Sequence, residues 1–363
     1  MTLVKIPTRT TTASPYVAGR PVEDVARELG LDPATIVKLA SNENPLGMSP
    51  KAAAAIKNVD ASRYPDANAT ALKAVIAAHH DCDPSCITVG TGSENLIELI
   101  GKAFMEPGTN GVSSQYSFIV FQQAVHNAGA TNVVVPAKDL GNDLDALLRA
   151  IDADTRALYI ANPNNPTGTF ITQAEMETFL ARVPRHVVVL LDEAYNEYLP
   201  PEFRYDGTQY ARRFSNLIVT RTFSKVYGLA GLRVGYAISD PELADYMNRV
   251  RLTFGVNEAA QLAAAAALQD VDFIEKSYEL NRTELARVQA QLDTMGVRYV
   301  PSLANFVLLN VGDAAAVNTA MLHQGVIVRP MGMYGLTEWL RISIGLPEEN
   351  DRCLPALVQA LGR

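Results

Sequence analysis

Long apolar runs, each ended by a polar cluster, constrain the fold of this chain more than any other feature. The run Val187-Val-Val-Leu-Leu191 is wholly apolar, whereas a strand exposed on one face alternates with polar residues. Similar runs cover residues 157–161 and 217–219. Because strands alternate with helical patterns across residues 86–239, we expect an α/β fold with a mostly parallel sheet covered on both faces. Ligands of such sheets bind at the carboxyl ends of the strands.

One strand end carries a lysine beside hydroxyl and guanidinium groups. Thr222, Ser224 and Lys225 follow the run at 217–219, and Arg233 comes after a glycine-rich turn. A lysine next to a buried strand loses hydration, which favours the neutral amine and makes it a nucleophile toward an aldehyde. The other three side chains suit a phosphate, so the set suggests pyridoxal phosphate (PLP), whose aldehyde condenses with such a lysine. Without further evidence, the sequence around Lys225 fits a surface lysine at a strand end as well as it fits a cofactor-binding lysine.

Two other strand ends carry groups that favour the PLP interpretation. Asp192 and Tyr195 follow the run at 187–191, and Asn165 lies in the turn after residues 157–161. A buried aspartate keeps the pyridine nitrogen protonated, which makes the ring accept electrons, while Asn165 and Tyr195 would tune its phenolic oxygen. Lys225 would then serve as the base that moves the substrate proton. To aim Asn165 at the ring, we expect a cis peptide bond before Pro166.

A glycine turn offers a second phosphate contact. Gly90-Thr-Gly-Ser-Glu94 lies between a predicted strand and helix, so the backbone N–H groups of Ser93 and Glu94 would point toward an anion. The turn does not match the dinucleotide pattern GxGxxG, because Asn95 occupies the third glycine position.

Composition excludes several classes of protein. With 363 residues, 48% of them hydrophobic, the chain suggests two packed domains. A net charge of -8 argues against a nucleic-acid-binding surface, and no apolar run approaches a membrane span. Three cysteines and no HExxH pattern make disulfides and a zinc site unexpected. The N terminus shows no secretory signal, so a cytoplasmic location is expected.

The ordered motifs resemble the fold-type I PLP-dependent aminotransferases. They are Asn165-Pro-Thr-Gly168, Asp192-Glu-Ala-Tyr195, Thr222-x-Ser-Lys225 with Arg233, and the late Arg341. A narrower similarity, to the histidinol-phosphate aminotransferase branch, rests on Ser14-Pro-Tyr16, Lys38-Leu-Ala-Ser-Asn-Glu-Asn-Pro45, Arg63-Tyr-Pro65, Val326-Ile-Val-Arg-Pro330 and Leu340-Arg-Ile-Ser-Ile-Gly345. The similarity spans nearly the whole chain from about Ser14.

This resemblance implies further site residues and a homodimer with shared active sites. Tyr64 would reach the cofactor phosphate of the other subunit, and Tyr116 would stack on the pyridine ring, although core packing also explains Tyr116. Tyr16 and Asn42 would contact substrate, together with Asn165. Arg341 and Arg329 would bind substrate anions, since a guanidinium forms paired hydrogen bonds with carboxylate or phosphate.

The resemblance implies a large PLP-binding domain at residues 41–255 and a smaller α+β domain at 256–363, with residues 1–40 as an arm packed on the latter. It also implies transamination between histidinol phosphate and 2-oxoglutarate in histidine biosynthesis. Alternatives are an aromatic amino acid aminotransferase, which Trp339 near Arg341 would favour unless it faces the core, and a PLP-dependent decarboxylase of a phosphorylated amino acid. A PLP-binding regulatory module is disfavoured because no basic DNA-binding domain precedes the motifs.

Overall fold

The computed structural model describes residues 4–13 and 19–363. The strands of this part are β1 (Val37–Lys38), β2 (Ile87–Gly90), β3 (Asn110–Ser114), β4 (Thr131–Val135), β5 (Thr155–Ala161), β6 (Val188–Asp192), β7 (Leu217–Thr222), β8 (Gly235–Ser239), β9 (Tyr299–Val300), β10 (Phe306–Asn310), β11 (Val326–Ile327), β12 (Arg329–Met331) and β13 (Leu336–Ser343). The helices are α1 (Thr8–Thr11), α2 (Val22–Leu29), α3 (Pro50–Ala55), α4 (Thr70–His80), α5 (Ser93–Phe104), α6 (Val120–Asn127), α7 (Leu144–Arg149), α8 (Gln173–Leu180), α9 (Pro241–Val250), α10 (Glu258–Leu268), α11 (Val271–Thr294), α12 (Ala314–His323) and α13 (Pro347–Ala360).

A seven-stranded sheet forms the larger part of the molecule, in the order β2-β8-β7-β6-β5-β3-β4. Only β8 runs antiparallel to its neighbours β2 and β7, whereas the pairs from β7 to β4 are all parallel. The expected mostly parallel sheet is therefore confirmed. The apolar runs at 157–161, 187–191 and 217–219 fall in the three adjacent strands β5, β6 and β7, whose buried side chains face both ways.

Helices cover both faces of this sheet. On one face, Tyr159, Leu190 and Ile218 pack with side chains from α5 and α6, such as Phe121. On the other face, the alternate residues of the same strands pack with α7 and α8. Burial on both sides explains why these strands read as continuous apolar runs.

A smaller antiparallel sheet, in the order β12-β13-β10-β9, packs with α11, α12 and α13. Strand β1 pairs in parallel with β11, which joins the N-terminal segment to this half of the molecule. The division into segments 1–40, 41–255 and 256–363 remains a prediction. Within the described ranges, no helix has the length and apolar character needed to cross a membrane.

Candidate active site

A cavity of about 250 Å³ opens where the carboxyl ends of β5, β6 and β7 face the smaller sheet. The segments that contribute to it include the stretch 40–43, the start of α5, the strand ends, the turn before β8, and strands β12 and β13. Twelve residues predicted from the sequence line its wall: Asn42, Ser93, Glu94, Asn165, Asp192, Tyr195, Thr222, Ser224, Lys225, Arg233, Arg329 and Arg341. The structure thus brings together residues separated by up to 299 positions in the chain.

Lys225 presents a partly buried amine to this cavity. Its Nζ donates a hydrogen bond to the Ser41 carbonyl at 3.1 Å and lies 5.7 Å from the centre of the Tyr195 ring. Burial, assisted by the positive charge of Arg341, lowers the pKa of Lys225 to about 8. A much larger share of the amine is therefore neutral near pH 7 than in an exposed lysine, as a nucleophile requires.

Asp192 is a buried carboxylate at the end of β6. Tyr159 donates a hydrogen bond to its Oδ2 at 2.9 Å, and Thr220 donates one to its Oδ1 at 3.2 Å. Burial raises the pKa of Asp192, while these hydrogen bonds and the charge of Lys225 oppose the rise. A buried carboxylate is costly unless a cation lies against it. The site is therefore suited to a cationic heterocycle.

Strand register explains how Tyr159 reaches Asp192. Ala161, Asp192 and Thr220 are direct partners across β5, β6 and β7, so they form one row at the carboxyl edge. Tyr159 lies two residues before Ala161 and therefore points to the same face, one row lower. Since the Ala161 side chain is small, the Tyr159 hydroxyl reaches the carboxylate beside it.

An anion cradle lies at the start of α5. Arg233 donates to Ser224 Oγ at 3.4 Å, and its guanidinium lies 3.7 Å from the Glu94 carboxylate. Gly92, with φ +85°, leaves room for that guanidinium, because a Cβ there would lie 2.6 Å from Arg233 NH2. The first N–H groups of a helix have no partner within the helix and attract anions. The cradle fits a phosphate.

Tyr195 is held by a chain of hydrogen bonds from the N-terminal segment. Asn42 Nδ2 donates to the Tyr195 hydroxyl at 3.0 Å, and Ser343 Oγ donates to Asn42 Oδ1 at 3.0 Å. Because Tyr195 accepts from Asn42, its own proton remains available for an acceptor in the cavity. Burial nevertheless raises the pKa of Tyr195 to about 12, so the phenol stays protonated at neutral pH.

Two arginines close the cavity on the side of the smaller sheet. Arg329 on β12 and Arg341 on β13 are direct cross-strand partners, and both are buried. Arg341 also donates to the Ala40 carbonyl at 3.0 Å and to Asn165 Oδ1. Like charges directly opposite each other in a sheet repel, and a bound anion offsets that repulsion.

Asn165 is presented by an irregular turn with two cis peptide bonds. The bond before Pro166 is cis, as predicted, and so is the bond between Asn162 and Pro163. The turn is fixed by Asn164, whose Nδ2 donates to the Tyr116 carbonyl at 2.9 Å.

The structure corrects the predicted position of Tyr116. A turn in which the Ser117 N–H donates to the Ser114 carbonyl redirects the chain. The Tyr116 side chain consequently packs against a cluster that includes Leu308 and Trp339, and Phe118 lines the cavity instead. The geometry therefore does not support the stacking role of Tyr116.

Trp339 proves to be a core residue. Its side chain is 8% exposed, packs with Met331 and Leu336, and lies 5.0 Å beneath the Arg298 guanidinium. It does not line the cavity. The suggestion that it selects aromatic substrates therefore loses its structural support.

Tyr64 lies outside the cavity of this single chain. Tyr64 is 81% exposed and stacks on Phe254 at 4.6 Å. Tyr16 lies outside the described residues. Their roles remain predictions.

Sequence reasoning missed four cavity residues of clear chemical character. Tyr159 and Phe118 fall within apolar patterns that give no sign of a site, while Tyr334 follows β12. Glu43 lies at the cavity wall, paired with Lys38 at 3.3 Å, and its charge raises the pKa of Lys225 against the lowering by burial. Among these four residues, only Glu43 lies in a motif that the sequence analysis used, the Asn-Glu-Asn-Pro segment ending at Pro45.

Comparison with known proteins identifies the relatives of this chain. The family model described as aminotransferase class I and II matches residues 34–357. Histidinol-phosphate aminotransferase 1 of Cupriavidus pinatubonensis is 53% identical over 354 residues, covering 96% of this chain and 94% of the relative. Histidinol-phosphate aminotransferase 2 of Ralstonia nicotianae is also 53% identical, covering 96% and 95%.

Solved structures show the same relationship. The histidinol-phosphate aminotransferase from Sinorhizobium meliloti, in complex with pyridoxal-5'-phosphate, superposes with a TM-score of 0.91 at 28% identity, covering 99% of this chain and 98% of that one. The aspartate aminotransferase from Thermus thermophilus shares the fold, with a TM-score of 0.85 at 20% identity and coverage of 99% and 100%.

Proposed function

The chain belongs to the aminotransferase class I and II family, and we propose that it transfers an amino group from histidinol phosphate to 2-oxoglutarate with PLP as cofactor. One observation carries the proposal: Lys225 and Asp192 line one cavity, with an anion cradle at the start of α5 and the Arg329–Arg341 pair opposite. The first three features suit PLP, and the last suits the anionic part of a substrate.

The residues present fit PLP by their chemistry. Lys225 supplies the amine that condenses with the aldehyde, and Asp192 supplies the buried carboxylate that a protonated ring nitrogen requires. Arg233, Ser224, Thr222 and the N–H groups at the start of α5 would hold the phosphate. When bound, PLP delocalises the electrons left behind as the substrate carbon loses its proton.

The protein groups then have separate tasks. With PLP bound, the amine of Lys225 would act as the base that takes the proton from the substrate carbon and later returns it. The lowered pKa of Lys225 suits this role, because a base works best near the operating pH. Tyr195 and Asn165, which both line the cavity, would donate hydrogen bonds to the phenolic oxygen of the bound cofactor.

The choice of amino donor rests on the relatives and on the arginine pair. Both Cupriavidus and Ralstonia proteins are named for histidinol phosphate. Histidinol phosphate has a phosphate and no carboxylate, whereas glutamate, formed from 2-oxoglutarate, has two carboxylates. Because a guanidinium binds either anion through paired hydrogen bonds, Arg329 and Arg341 can serve the two substrates in turn.

We further propose a homodimer, located in the cytoplasm, in which Tyr64 completes the site of the partner. The exposed stacked pair of Tyr64 and Phe254 supports an interface there, because an apolar pair of this size is otherwise left in water. A mixture of Tyr64→Ala and Lys225→Ala chains would test it. If Tyr64 acts across the interface, heterodimers regain one intact site, and equal mixing restores up to about a quarter of wild-type activity; no gain on mixing would contradict shared sites.

Steady-state kinetics with histidinol phosphate, histidinol and phenylalanine test the reaction, each with and without 2-oxoglutarate. We expect histidinol phosphate to be preferred over both others, and the preference over histidinol to fall about 10- to 100-fold in Arg329→Gln, because a charged hydrogen-bonded partner is lost. Arg282→Gln, which alters an exposed ion pair with Glu279, is the matched control.

A large preference for phenylalanine would instead indicate aromatic transamination. Release of carbon dioxide from a phosphorylated amino acid, independent of 2-oxoglutarate, would indicate a decarboxylase.

A further inference from the structure

Tyr159 and Thr220 both direct a hydroxyl at Asp192 from within the sheet. The Tyr159 hydroxyl lies 2.9 Å from Oδ2 and the Thr220 hydroxyl 3.2 Å from Oδ1, so each carboxylate oxygen accepts one hydrogen bond. Neither side chain is accessible to solvent. The Ala194 N–H adds a backbone hydrogen bond to the same carboxylate. Asp192 is therefore fixed in position and orientation.

Packing alone does not explain these two hydroxyls. The Tyr159 ring stacks on Phe121 with centres 5.1 Å apart and an angle of 17° between the planes, a contact that phenylalanine would make equally well. Valine would likewise fill the space of Thr220, which is fully buried on strand β7. Burying a hydroxyl costs free energy unless it has a partner, and the partner of both is Asp192.

We propose that Tyr159 and Thr220 are positioning residues of the reaction that act through Asp192. Their hydroxyls hold the Asp192 carboxylate in place and lower its affinity for the proton that it shares with the cofactor ring nitrogen. The inference rests on the proposed function only in requiring PLP at this site. It does not depend on which amino donor the enzyme uses.

The direction of the effect follows from elementary electrostatics. A hydrogen bond donated to a carboxylate stabilises its charged form, so each donor lowers the proton affinity of Asp192. Asp192 and the ring nitrogen compete for one proton, and a weaker competitor leaves the proton on the nitrogen. A ring whose nitrogen keeps this proton carries a positive charge and attracts electrons more strongly. The same charge also disfavours a second proton on the nitrogen that links Lys225 to the cofactor.

Two other titratable groups face Asp192 from neighbouring turns. Lys225 faces it from the turn after β7, and Tyr195 faces it from the turn after β6. The charge of Arg341 reaches Tyr195 and Lys225 from the smaller sheet. None of these groups is altered by replacing Tyr159 or Thr220, so the replacements isolate the two hydroxyls.

Three single variants test the proposal: Tyr159→Phe, Thr220→Val and, as the matched control, Tyr236→Phe. Tyr236 is equally buried in the same sheet, and its hydroxyl makes a 2.7 Å hydrogen bond with His80 Nε2, away from the cavity. The main measurement is the pH midpoint of the visible absorption change of the PLP-loaded protein without substrate. This change reports the proton on the nitrogen that links Lys225 to the cofactor.

In Tyr159→Phe we expect this midpoint to rise by about half a pH unit or more, because a less cationic ring permits the linking nitrogen to keep its proton longer. Thr220→Val should shift it in the same direction by less, since its hydrogen bond is longer. In Tyr159→Phe, kcat should fall about tenfold while KM changes less than about threefold. Tyr236→Phe should leave the midpoint and kcat unchanged, whatever its effect on thermal unfolding.

An unchanged midpoint in Tyr159→Phe, or an equal rise in Tyr236→Phe, would overturn the proposal. If Tyr159→Phe did not fold, Thr220→Val would decide, and an unchanged midpoint there would overturn it as well. Failure of the wild-type protein to bind PLP would instead refute the proposed function, so the two failures are distinguishable.

Discussion

Replacing Lys225 by methionine should stabilise the cofactor-free protein near neutral pH. Burial lowers the pKa of Lys225 from its ordinary value of 10.5 to about 8. The unfolded chain therefore binds the lysine proton more tightly than the folded chain does, and below pH 8 folding carries the full cost of that difference. At about 1.4 kcal/mol for each pH unit, the cost is about 3 kcal/mol.

Methionine has a similar length and no charge, so it removes this cost. It also removes the hydrogen bond from Nζ to the Ser41 carbonyl, worth about 1 kcal/mol. A net gain of about 2 kcal/mol in the free energy of unfolding remains at pH 7. As the pH rises from about 8 toward 10.5, the folded and then the unfolded wild-type chain lose the proton, and the advantage of the variant disappears.

Urea unfolding of the cofactor-free proteins at pH 7 and at pH 10, at one protein concentration, measures both effects. Lys57→Met, at an exposed position on the surface, is the matched control and should show no comparable gain. A Lys225→Met protein that is less stable than wild type at pH 7, or whose advantage does not depend on pH, would refute the argument that the buried amine is a cost to folding.

Three further substitutions have defined outcomes. Asp192→Ala should retain the colour of lysine-bound PLP yet lose several powers of ten in kcat; near-normal turnover would refute its role at the ring nitrogen. Arg341→Lys should raise KM at least about tenfold for both substrates, because an ammonium cannot form the paired hydrogen bonds of a guanidinium; an unchanged KM in steady-state assays would exclude anion binding there. Gly228 has φ +70°, and a Cβ at this position would press against the Gly47 carbonyl, whereas nothing lies within 4 Å of a Cβ at Gly231. Gly228→Ala should therefore unfold at a much lower urea concentration than Gly231→Ala. Equal unfolding midpoints for the two variants would contradict this packing.

The strand-end motifs were predictable because their information is local. An apolar run followed directly by Asp192, or within six residues by Lys225, indicates both the buried strand and the group at its end, and parallel strands bring such ends to one edge. The smaller sheet was expected from the resemblance to the family, which implied an α+β arrangement of residues 256–363.

Other features depend on register and turn geometry, which local patterns do not contain. Tyr159 contacts Asp192 only because β5 and β6 pair so that Ala161 lies opposite that carboxylate. A one-residue difference in register would have sent the tyrosine to the other face. The same limit explains Tyr116 and Phe118, since the turn after β3 decides which aromatic side chain enters the cavity.

The stretch 39–43 has a practical consequence for handling the protein. It accepts the amine of Lys225 through Ser41, holds Tyr195 through Asn42, and is anchored by Ser343 and Arg341 from the far side. A polypeptide shortened to begin at Ser49 would keep every strand of the large sheet, yet both reactive groups would lose these partners. Removal of the first 48 residues is thus expected to impair the active site even though the large sheet keeps all its strands.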